Sequence, residues 1–308
     1  MSNNKTAAVF PGQGAQRPGM AQDFYENHEI AKNIFDSASE ATGENLSELC
    51  FTENEKVNLT EFTQPAILTT EIAIYRVLEK EYGFSPSFFA GHSLGEYAAL
   101  VAASVIPFED AVKIVRRRGA LMQSAIPEGV GTMAALLIEN IESTDFEQIT
   151  KDAGAEVANY NSTGQIVISG KKENVDAATE KLDSAIEGIR IVPLSVSAPF
   201  HSSLMKEIEP EFKAFLESFA PKFNLDNASK VLSNFTGNFH DSAGLIDNLV
   251  SQISGSVRWM ENMRVLKDTG TDIYEIGPNK ILTKFFATID VKVPAIINER
   301  SAKKAFEP

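Results

Sequence analysis

Residues 91–96 read GHSLGE, and this stretch decides the fold because it marks a sharp turn from a strand into a helix. The short apolar run Phe88–Ala90 leads into it, and the Ala- and Leu-rich run Glu96–Ala103 follows it. A turn this tight leaves no room for Cβ atoms on both sides, so glycines flank it and the serine at its apex, Ser93, projects its hydroxyl outward. The pattern predicts a nucleophile elbow with Ser93 as the nucleophile. The alternative is an ordinary Gly-rich strand-to-helix turn.

The composition indicates the class of protein in which that serine lies. With 308 residues and 43% hydrophobic side chains, the chain can bury the core of one large or two unequal domains. The first apolar strand, Thr6–Phe10, follows the N-terminus directly without a signal peptide, and no run approaches the ~18 apolar residues of a membrane span. A single cysteine, Cys50, excludes an internal disulfide, and the residue spacing offers no structural metal cluster. We therefore expect a soluble cytoplasmic protein that binds no metal.

The charge balance argues against two classes of partner. The net charge is -14, which disfavours nucleic acid and anionic membrane surfaces. The densest basic cluster, Arg116–Arg118 with Lys113 one turn earlier, falls late in a helical segment. We interpret Arg116 and Arg117 as residues that complement the helix dipole in a last turn, or that lie on a solvated face.

The order of elements predicts an α/β protein with an inserted subdomain. Residues 1–127 alternate strands and helices, which indicates a parallel sheet; the clearest helix is Gln64–Tyr82, with Pro65 in its first turn. Residues 128–197 read β-α-β-β-α-β, a ferredoxin-like unit, with strands at 133–138, 156–160, 165–169 and 189–196. Residues 198–308 return to the large domain, with helices at 204–218, 244–253 and 280–287 and strands at 230–233 and 272–276. The cleft between the two parts is the expected substrate site.

A serine nucleophile needs a base, and the chain has four histidines. His201 is favoured because it stands where the small subdomain returns the chain to the large domain, beside the cleft. The alternative is a surface histidine at a helix start. His92 is expected to point away from Ser93, His28 lies in a polar helix-like stretch, and His240 lies in a polar loop.

The order of these residues disfavours two common serine hydrolases. A lipase or esterase would place an Asp or Glu and then a late histidine after the serine, and no histidine follows His240. A patatin-type dyad would bring an Asp-Gly pair, which the chain lacks.

A series of motifs running nearly end to end carries a family resemblance. They are FPGQGAQ at 10–16, TQPA at 63–66, GHSLGEYAAL at 91–100, Arg118 before Met122-Gln123, ANYN at 158–161 leading to Gly170, PFHS at 199–202, Gln252 before VRW at 257–259, and EIGP at 275–278. In order and content this series resembles that of malonyl-CoA:acyl carrier protein transacylases.

The resemblance implies a fold and a reaction. The fold is an α/β-hydrolase-like parallel-sheet large domain with an inserted ferredoxin-like subdomain. In the reaction, malonyl-CoA acylates the serine, CoA leaves, and the phosphopantetheine thiol of acyl carrier protein collects the malonyl group, with no bound cofactor. The transfer supplies the extender for fatty acid biosynthesis, and a monomer is expected.

The resemblance also implies roles for the residues around the elbow. Ser93 is the nucleophile and His201 its general base, oriented by the backbone carbonyl of Gln252 in place of a carboxylate. The backbone N–H groups of Gln13 and Leu94 form the oxyanion hole.

The remaining implied roles concern the substrate. Arg118 pairs with the malonyl carboxylate through its guanidinium fork. Met122 and Phe200 wall the acyl pocket, and Asn161 and Gln165 touch the pantetheine arm. Packing or turn roles are the alternatives for these last four residues.

The chain departs from the family pattern at two places. Asn279 stands where glycine is common, and because Asn tolerates the left-handed conformation we expect no catalytic effect. Gly255-Ser256 replaces a proline that often precedes the Val-x-Trp segment, which leaves the orientation of Gln252 less well defined.

Acyl carrier protein is acidic like this chain, so docking needs a local basic rim. The candidates are Arg116, Arg117, Lys171, Lys172, Lys280 and Lys284. Other functions stay open at this point: a discrete trans-acting polyketide acyltransferase, a serine thioesterase that would need no buried Arg118, and a non-catalytic scaffold.

Overall fold

The structure is a computed structural model that describes residues 5–127, 129–196 and 198–307. Its strands are β1 (Thr6–Phe10), β2 (Phe88–Gly91), β3 (Gly131–Leu137), β4 (Glu156–Ser162), β5 (Gln165–Lys171), β6 (Arg190–Pro193), β7 (Asp272–Ile276) and β8 (Ala295–Ile296). Its helices are α1 (Gln22–Asn27), α2 (Glu29–Thr42), α3 (Leu46–Phe51), α4 (Thr60–Tyr82), α5 (Gly95–Ala102), α6 (Phe108–Ser124), α7 (Phe146–Asp152), α8 (Lys172–Ala185), α9 (Glu209–Glu217), α10 (Leu245–Ser254), α11 (Trp259–Asp268), α12 (Leu282–Ala287) and α13 (Glu299–Phe306). None of the helices in these ranges is both long and apolar enough to cross a bilayer.

The larger sheet is parallel, as the alternation of strands and helices predicts. Its strands follow the order β2-β1-β7-β8. The continuous apolar run of β1 has almost no exposed side chain, which is typical of a central strand covered on both faces. Phe10 pairs with Gly91, so β1 and β2 end side by side and the loop after β1 lies next to the GHSLGE turn. Ligands of such sheets bind outside this carboxyl edge.

Helix α4 corrects one prediction. It begins at Thr60 rather than Gln64, so Pro65 lies inside the helix and not in its first turn. Because proline has no N–H, the helix lacks the hydrogen bond to the carbonyl of Glu61. Ile67 and Tyr75 are buried as expected, but most of the other α4 side chains are buried too, since the helix lies in the centre of the large domain.

The smaller sheet is antiparallel with the order β4-β5-β3-β6, and α7 and α8 pack on it. This confirms the ferredoxin-like arrangement predicted from the order of elements. Strand β4 continues to Ser162, so the predicted turn shrinks to Thr163–Gly164, and β6 is shorter than predicted. The predicted boundaries of this subdomain fall at residues 128 and 197, which lie outside the described residues.

The returning segment differs from prediction at three places. The helix expected at 204–218 divides into a 3-10 turn, Ser203–Ile208, and α9, because Pro210 favours a new helix start. The strand expected at 230–233 makes only isolated bridges, of Val231 with Phe89 and of Leu232 with Phe239. Helix α12 begins at Leu282, two residues late.

The small subdomain is attached to the large domain through β4. The backbone N–H of Tyr160 donates to the carbonyl of Val257 at 2.9 Å, and the N–H of Val257 donates to the carbonyl of Ala158 at 2.8 Å. Residues 158–160 therefore stand beside the chain that enters α11, which holds one edge of the subdomain next to the elbow.

Candidate active site

The turn between β2 and α5 has the geometry of a nucleophile elbow. A Cβ atom on Gly91 would lie 1.9 Å from the carbonyl carbon of Gly95, and one on Gly95 would lie 2.2 Å from the carbonyl oxygen of Phe10. Neither position can carry a side chain. Between them Ser93 has a left-handed backbone with φ of 51°, a strained conformation that aims its hydroxyl away from the sheet edge.

Ser93 is hydrogen-bonded to His201, the histidine that the sequence favoured. The distance from Ser93 Oγ to His201 Nε2 is 2.7 Å, and His201 Nδ1 lies 2.8 Å from the backbone carbonyl oxygen of Gln252. Because a carbonyl only accepts, Nδ1 carries the proton and Nε2 is free to accept from the serine. The carbonyl of Gln252 therefore orients His201 as the resemblance implies, even though Gly255-Ser256 stands where a proline is common in the family.

The electrostatic surroundings keep His201 neutral. Burial and the positive charge of Arg118 lower the pKa of His201 to about 3, against the raising effect of its bond to Gln252. A neutral imidazole beside a serine hydroxyl is the protonation state that a general base requires.

Arg118 is a buried cation with uncharged partners. It is 1% exposed, and Nη1 donates to Gln64 Oε1 at 2.9 Å. Nη2 donates to Gln252 Oε1 at 2.9 Å and to Ser93 Oγ at 3.1 Å, while Nε has no acceptor among the described residues. Burial lowers the pKa of Arg118. Since no acid neutralises this guanidinium within the described part of the chain, the site favours an incoming carboxylate.

A cavity of about 130 Å³ opens beside Ser93. Its walls include the predicted residues Gln13, Leu94, Met122 and Phe200. The full lining is Gln13, Gln64, His92, Ser93, Leu94, Arg118, Met122, Met133, Asn159, Leu194, Val196, Phe200 and His201. The size and the mostly apolar wall suit a short acyl group next to one cation.

Two backbone amides on this wall are available as donors. The N–H groups of Gln13 and Leu94 have no hydrogen-bond acceptor in the part of the chain that the structure describes. The loop that carries Gln13 approaches the elbow closely, since a Cβ atom on Gly12 would lie 2.4 Å from the carbonyl oxygen of His92. Glycine at position 12 is therefore needed to bring the two amides to one cavity.

The predicted pantetheine contacts Asn161 and Gln165 do not line the cavity. Asn161 Nδ2 donates to Gln165 Oε1 at 2.9 Å, and Asn161 Oδ1 lies 2.7 Å from Nε2 of His92. His92 itself lines the cavity, but its ring bonds to Asn161 and not to Ser93, in agreement with the expectation that it points away from the serine. Strand β4 instead contributes Asn159, which the sequence reasoning missed. Irregular pairing on both sides of Asn159–Tyr160 breaks the strand alternation that would have indicated it.

The basic cluster on α6 does not lie in a last helical turn, but its alternative position on a solvated face fits the partly exposed side chains of Arg116 and Arg117. The helix continues to Ser124, so Arg116 and Arg117 lie in its middle rather than in a last turn. Arg116 pairs with Glu61 and Glu44, and Arg117 pairs with Glu211. Their charges are thus compensated by acidic side chains on α4, on α9 and in the connection between α2 and α3.

Comparison with known proteins gives one consistent result. The model of the family described as "Acyl transferase domain" matches residues 8–239. A malonyl CoA-acyl carrier protein transacylase of Staphylococcus aureus (strain MRSA252) is 43% identical over 303 residues, which cover 95% of this chain and 96% of that protein.

Solved structures agree over nearly the whole length. The malonyl CoA-acyl carrier protein transacylase of Clostridium perfringens has a TM-score of 0.90 at 38% identity, covering 98% of this chain and 96% of that one. A malonyl-transacylase in complex with its type II PKS acyl-carrier protein has a TM-score of 0.92 at 35% identity, covering 98% and 99%.

Proposed function

The chain belongs to the malonyl CoA-acyl carrier protein transacylases of the acyl transferase domain family, and from this premise we propose how its residues perform the reaction. The protein is an acyltransferase that moves a malonyl group from malonyl-CoA to the phosphopantetheine thiol of acyl carrier protein. The fold it uses is the parallel α/β domain with the ferredoxin-like subdomain described above.

In the first half-reaction Ser93 attacks the thioester carbonyl of malonyl-CoA. His201 Nε2, at 2.7 Å, takes the hydroxyl proton as the bond to the carbonyl carbon forms. The backbone N–H groups of Gln13 and Leu94 stabilise the oxyanion, and such donors are typically worth about 3–4 kcal/mol each. The tetrahedral intermediate collapses, the carbon–sulfur bond breaks, and His201 returns the proton to the CoA thiolate.

The second half-reaction reverses these steps with a different thiol. The carrier's phosphopantetheine thiol gives its proton to His201 and attacks the malonyl ester of Ser93. The same amides hold the second oxyanion, and Ser93 leaves with the proton from His201. All the groups in these steps come from the chain itself, so the proposed reaction needs no cofactor.

Specificity is assigned to Arg118. The guanidinium lies next to Ser93 Oγ, is buried, and has only uncharged acceptors, so a malonyl carboxylate can take the position of its counter-ion. An acetyl or long acyl group would leave the buried charge unpaired, which is costly. This single observation favours the transacylase over a thioesterase, which would need the serine and the histidine but no buried arginine. Met122 and Phe200 wall the acyl pocket in this proposal.

Fatty acid biosynthesis is the proposed destination of the malonyl group. A second candidate is a discrete acyltransferase that serves a polyketide system. It is favoured by a structural neighbour that binds the acyl-carrier protein of a type II polyketide synthase (PKS). The two candidates differ only in the carrier protein. Transfer rates to the two kinds of carrier, measured side by side, distinguish them.

Carrier docking is proposed to use a basic rim. Within the described residues Lys171, Lys280 and Lys284 are exposed and make no ion pair, whereas Lys172 pairs with Asp176. Reversing the three unpaired charges should raise the carrier KM at low salt without changing malonyl-enzyme formation. An unchanged KM would exclude the rim. Reversal of Lys303 and Lys304 on α13 serves as the control.

The subdomain limits are proposed as 1–127 with 198–308 for the large domain and 128–197 for the ferredoxin-like unit. A separate apolar cluster between the small sheet and its helices, which includes Leu136, Ile166 and Leu182, supports this division, while the other face of that sheet, with Met133 and Val167, packs into the core of the large domain.

Intact-mass spectrometry tests the proposed function. The protein is mixed with malonyl-CoA, acetyl-CoA or methylmalonyl-CoA, and holo acyl carrier protein is then added. We expect a malonyl adduct that transfers to the carrier. No adduct, or one lost only to water, would contradict the transacylase and favour a thioesterase or a scaffold.

A further inference from the structure

A buried glutamate, Glu96, lies behind the active site and outside its cavity. It stands in the first turn of α5, has no exposed surface, and is absent from the cavity wall. The reaction steps above do not use it. A buried carboxylate next to a nucleophile elbow nevertheless needs a physical account, because burying a charge is costly unless it is paired and hydrogen-bonded.

Three N–H donors converge on this carboxylate. Oε2 accepts from the side chain of Gln252 at 2.6 Å and from the backbone N–H of Asn234 at 2.9 Å, and Oε1 lies 2.8 Å from Nε2 of His240. On the other side of that ring, Nδ1 faces the amide nitrogen of Asn248 at 3.3 Å. An amide nitrogen only donates, so Nδ1 accepts and Nε2 carries the proton. This donor set fits an ionised carboxylate, which only accepts.

Gln252 connects this carboxylate to Arg118. Its side-chain nitrogen donates to Glu96, while its side-chain oxygen accepts from Arg118 Nη2 at 2.9 Å. One amide therefore separates a buried anion from a buried cation. A direct ion pair would neutralise the guanidinium, whereas the uncharged amide holds it in place and leaves its charge available to a substrate carboxylate. Burial lowers the pKa of Arg118, and the charge of Glu96 opposes that effect.

The backbone of Gln252 is fixed independently of its side chain. The carbonyl that contacts His201 belongs to the last turn of α10, where carbonyls have no intrahelical partner, so it is free to accept from His201 and its direction follows from the helix backbone. Without Glu96, the side-chain nitrogen of Gln252 would keep only the backbone carbonyl of Ser93, at 3.1 Å, as its acceptor, and the hold on Arg118 would loosen. The backbone N–H of Ser93 is held separately by Asn234 Oδ1, so we expect the pairing of His201 with Ser93 to persist.

We propose that Glu96 is a positioning residue for malonyl selection: through the Gln252 side chain it holds Arg118 in place for a carboxylate without neutralising its charge. The proposal rests on the proposed function. It predicts a selective loss, in which reaction with a carboxylate-bearing acyl donor suffers and the general reactivity of Ser93 does not.

The test compares two reagents on Glu96→Ala and Glu96→Gln. Single-turnover acylation by malonyl-CoA reports Arg118 together with Ser93. Labelling by an alkyl fluorophosphonate, which bears no carboxylate, reports the reactivity of Ser93 and His201 without the pairing of Arg118 with a substrate carboxylate. Glu96→Ala should slow malonyl acylation about 10- to 100-fold, the range for losing a charge-assisted hydrogen bond, and change labelling less than about threefold. Glu96→Gln keeps an acceptor but loses the charge, so its selective loss should lie between those of wild type and Glu96→Ala.

His240→Leu is the matched control. It removes another buried partner of Glu96 but leaves the bond to Gln252, so both rates should stay within about threefold of wild type. If His240→Leu lowers malonyl selectivity as much as Glu96→Ala does, Glu96 acts only through core packing and the proposal is wrong.

The remaining outcomes are also decisive. Equal losses with both reagents in the Glu96 variants would overturn the proposal and indicate a structural role. If Glu96→Ala does not fold, Glu96→Gln carries the same comparison, and wild-type selectivity in that variant would overturn the proposal. A wild-type protein that forms no malonyl adduct would contradict the proposed function itself, which separates the two failures.

Discussion

The interiors next to the two sheets of this protein differ in polarity. Around the antiparallel sheet the core is apolar, with Leu136, Ile166 and Leu182 packed between β-strands and helices. Beside the elbow the interior is polar, and Arg118 and Gln252 are as fully buried as those aliphatic residues. The apolar core stabilises the fold to a degree that depends on how closely its side chains fill the interior. The polar interior places charges and amides at defined atoms, which is what a reaction needs.

This difference predicts where substitutions are selective. A change in the apolar core should lower the free energy of unfolding and leave substrate preference intact. A change in the polar interior should alter the reaction before it alters stability.

The largest expected effect is that of Ser93→Ala. Without the hydroxyl no malonyl ester forms, and transfer to the carrier should fall by about 10⁴-fold or more, as for other serine nucleophiles. Steady-state transfer kinetics measure it, and an unchanged thermal unfolding midpoint serves as the control. Residual transfer above one part in a thousand would show that another group carries the acyl chain.

Arg118→Ala should follow in magnitude. Loss of the carboxylate partner should lower kcat/KM for malonyl-CoA about 100-fold, because truncating one member of a buried charge pair costs about 2–5 kcal/mol. Stopped-flow or quenched acylation with malonyl-CoA and acetyl-CoA measures the preference. Arg118→Lys is the informative control, since a lysine keeps the charge but cannot form the bidentate pair. Equal losses for both acyl donors in Arg118→Ala would contradict the assignment.

The depressed pKa of His201 predicts an unusual pH dependence. An ordinary histidine of pKa 6.5 would lose its function as a base below that pH, but His201, with a pKa of about 3, stays neutral. The rate of malonyl-enzyme formation should therefore remain level from pH 8 to pH 5, where an ordinary histidine would give a fall of about 30-fold. A rate inflection near pH 6.5 in quenched-flow measurements would contradict this.

The same shift has a consequence for stability with a defined sign. Between about pH 3 and 6.5 the unfolded chain binds a proton at position 201 that the folded chain does not. Stabilisation from keeping this histidine neutral is thus complete above pH 6.5 and is lost as the pH falls. Comparing the acid unfolding of wild type and His201→Gln isolates the contribution.

The smallest effect on activity is expected in the small subdomain. Leu182→Ala in α8 removes a fully buried side chain and should cost about 2–5 kcal/mol of unfolding free energy. Once folded, the variant should keep its malonyl preference within about twofold. Denaturant titration measures the loss of stability, and acylation assays on the same sample measure the malonyl preference. A changed preference would contradict the proposal that the apolar core of the small subdomain affects stability but not selectivity.

Local patterns account for what the sequence predicts well. The strand–turn–helix at Ser93 depends on neighbouring residues, and the ferredoxin-like unit follows from regular alternation of apolar positions. Both are specified within short stretches of chain. The failures have a different origin. Proline at position 65 indicated a helix start, but burial on most sides of α4 overrode that signal.

Long-range contacts explain the rest of what was missed. Glu96 meets Gln252 and His240 across 156 and 144 residues, and no spacing in the sequence links them. His240 lies in a loop, as predicted, but its side chain is fully buried, which the sequence did not indicate. Asn279 was expected to tolerate a left-handed conformation, and the structure does not require one there, because Asn279 is not among the described residues with positive φ. Instead its side chain accepts from the N–H of Lys280.

Locating the malonyl group on the chain tests the central claim most directly. The protein is mixed briefly with malonyl-CoA, quenched in acid, digested and mapped by tandem mass spectrometry, with a parallel sample that receives holo acyl carrier protein before the quench. We predict that the malonyl group lies on Ser93 in the first sample and is absent from that peptide in the second, where the carrier gains it. A malonyl group on any other residue, or one on Ser93 that the carrier cannot remove, would contradict the account.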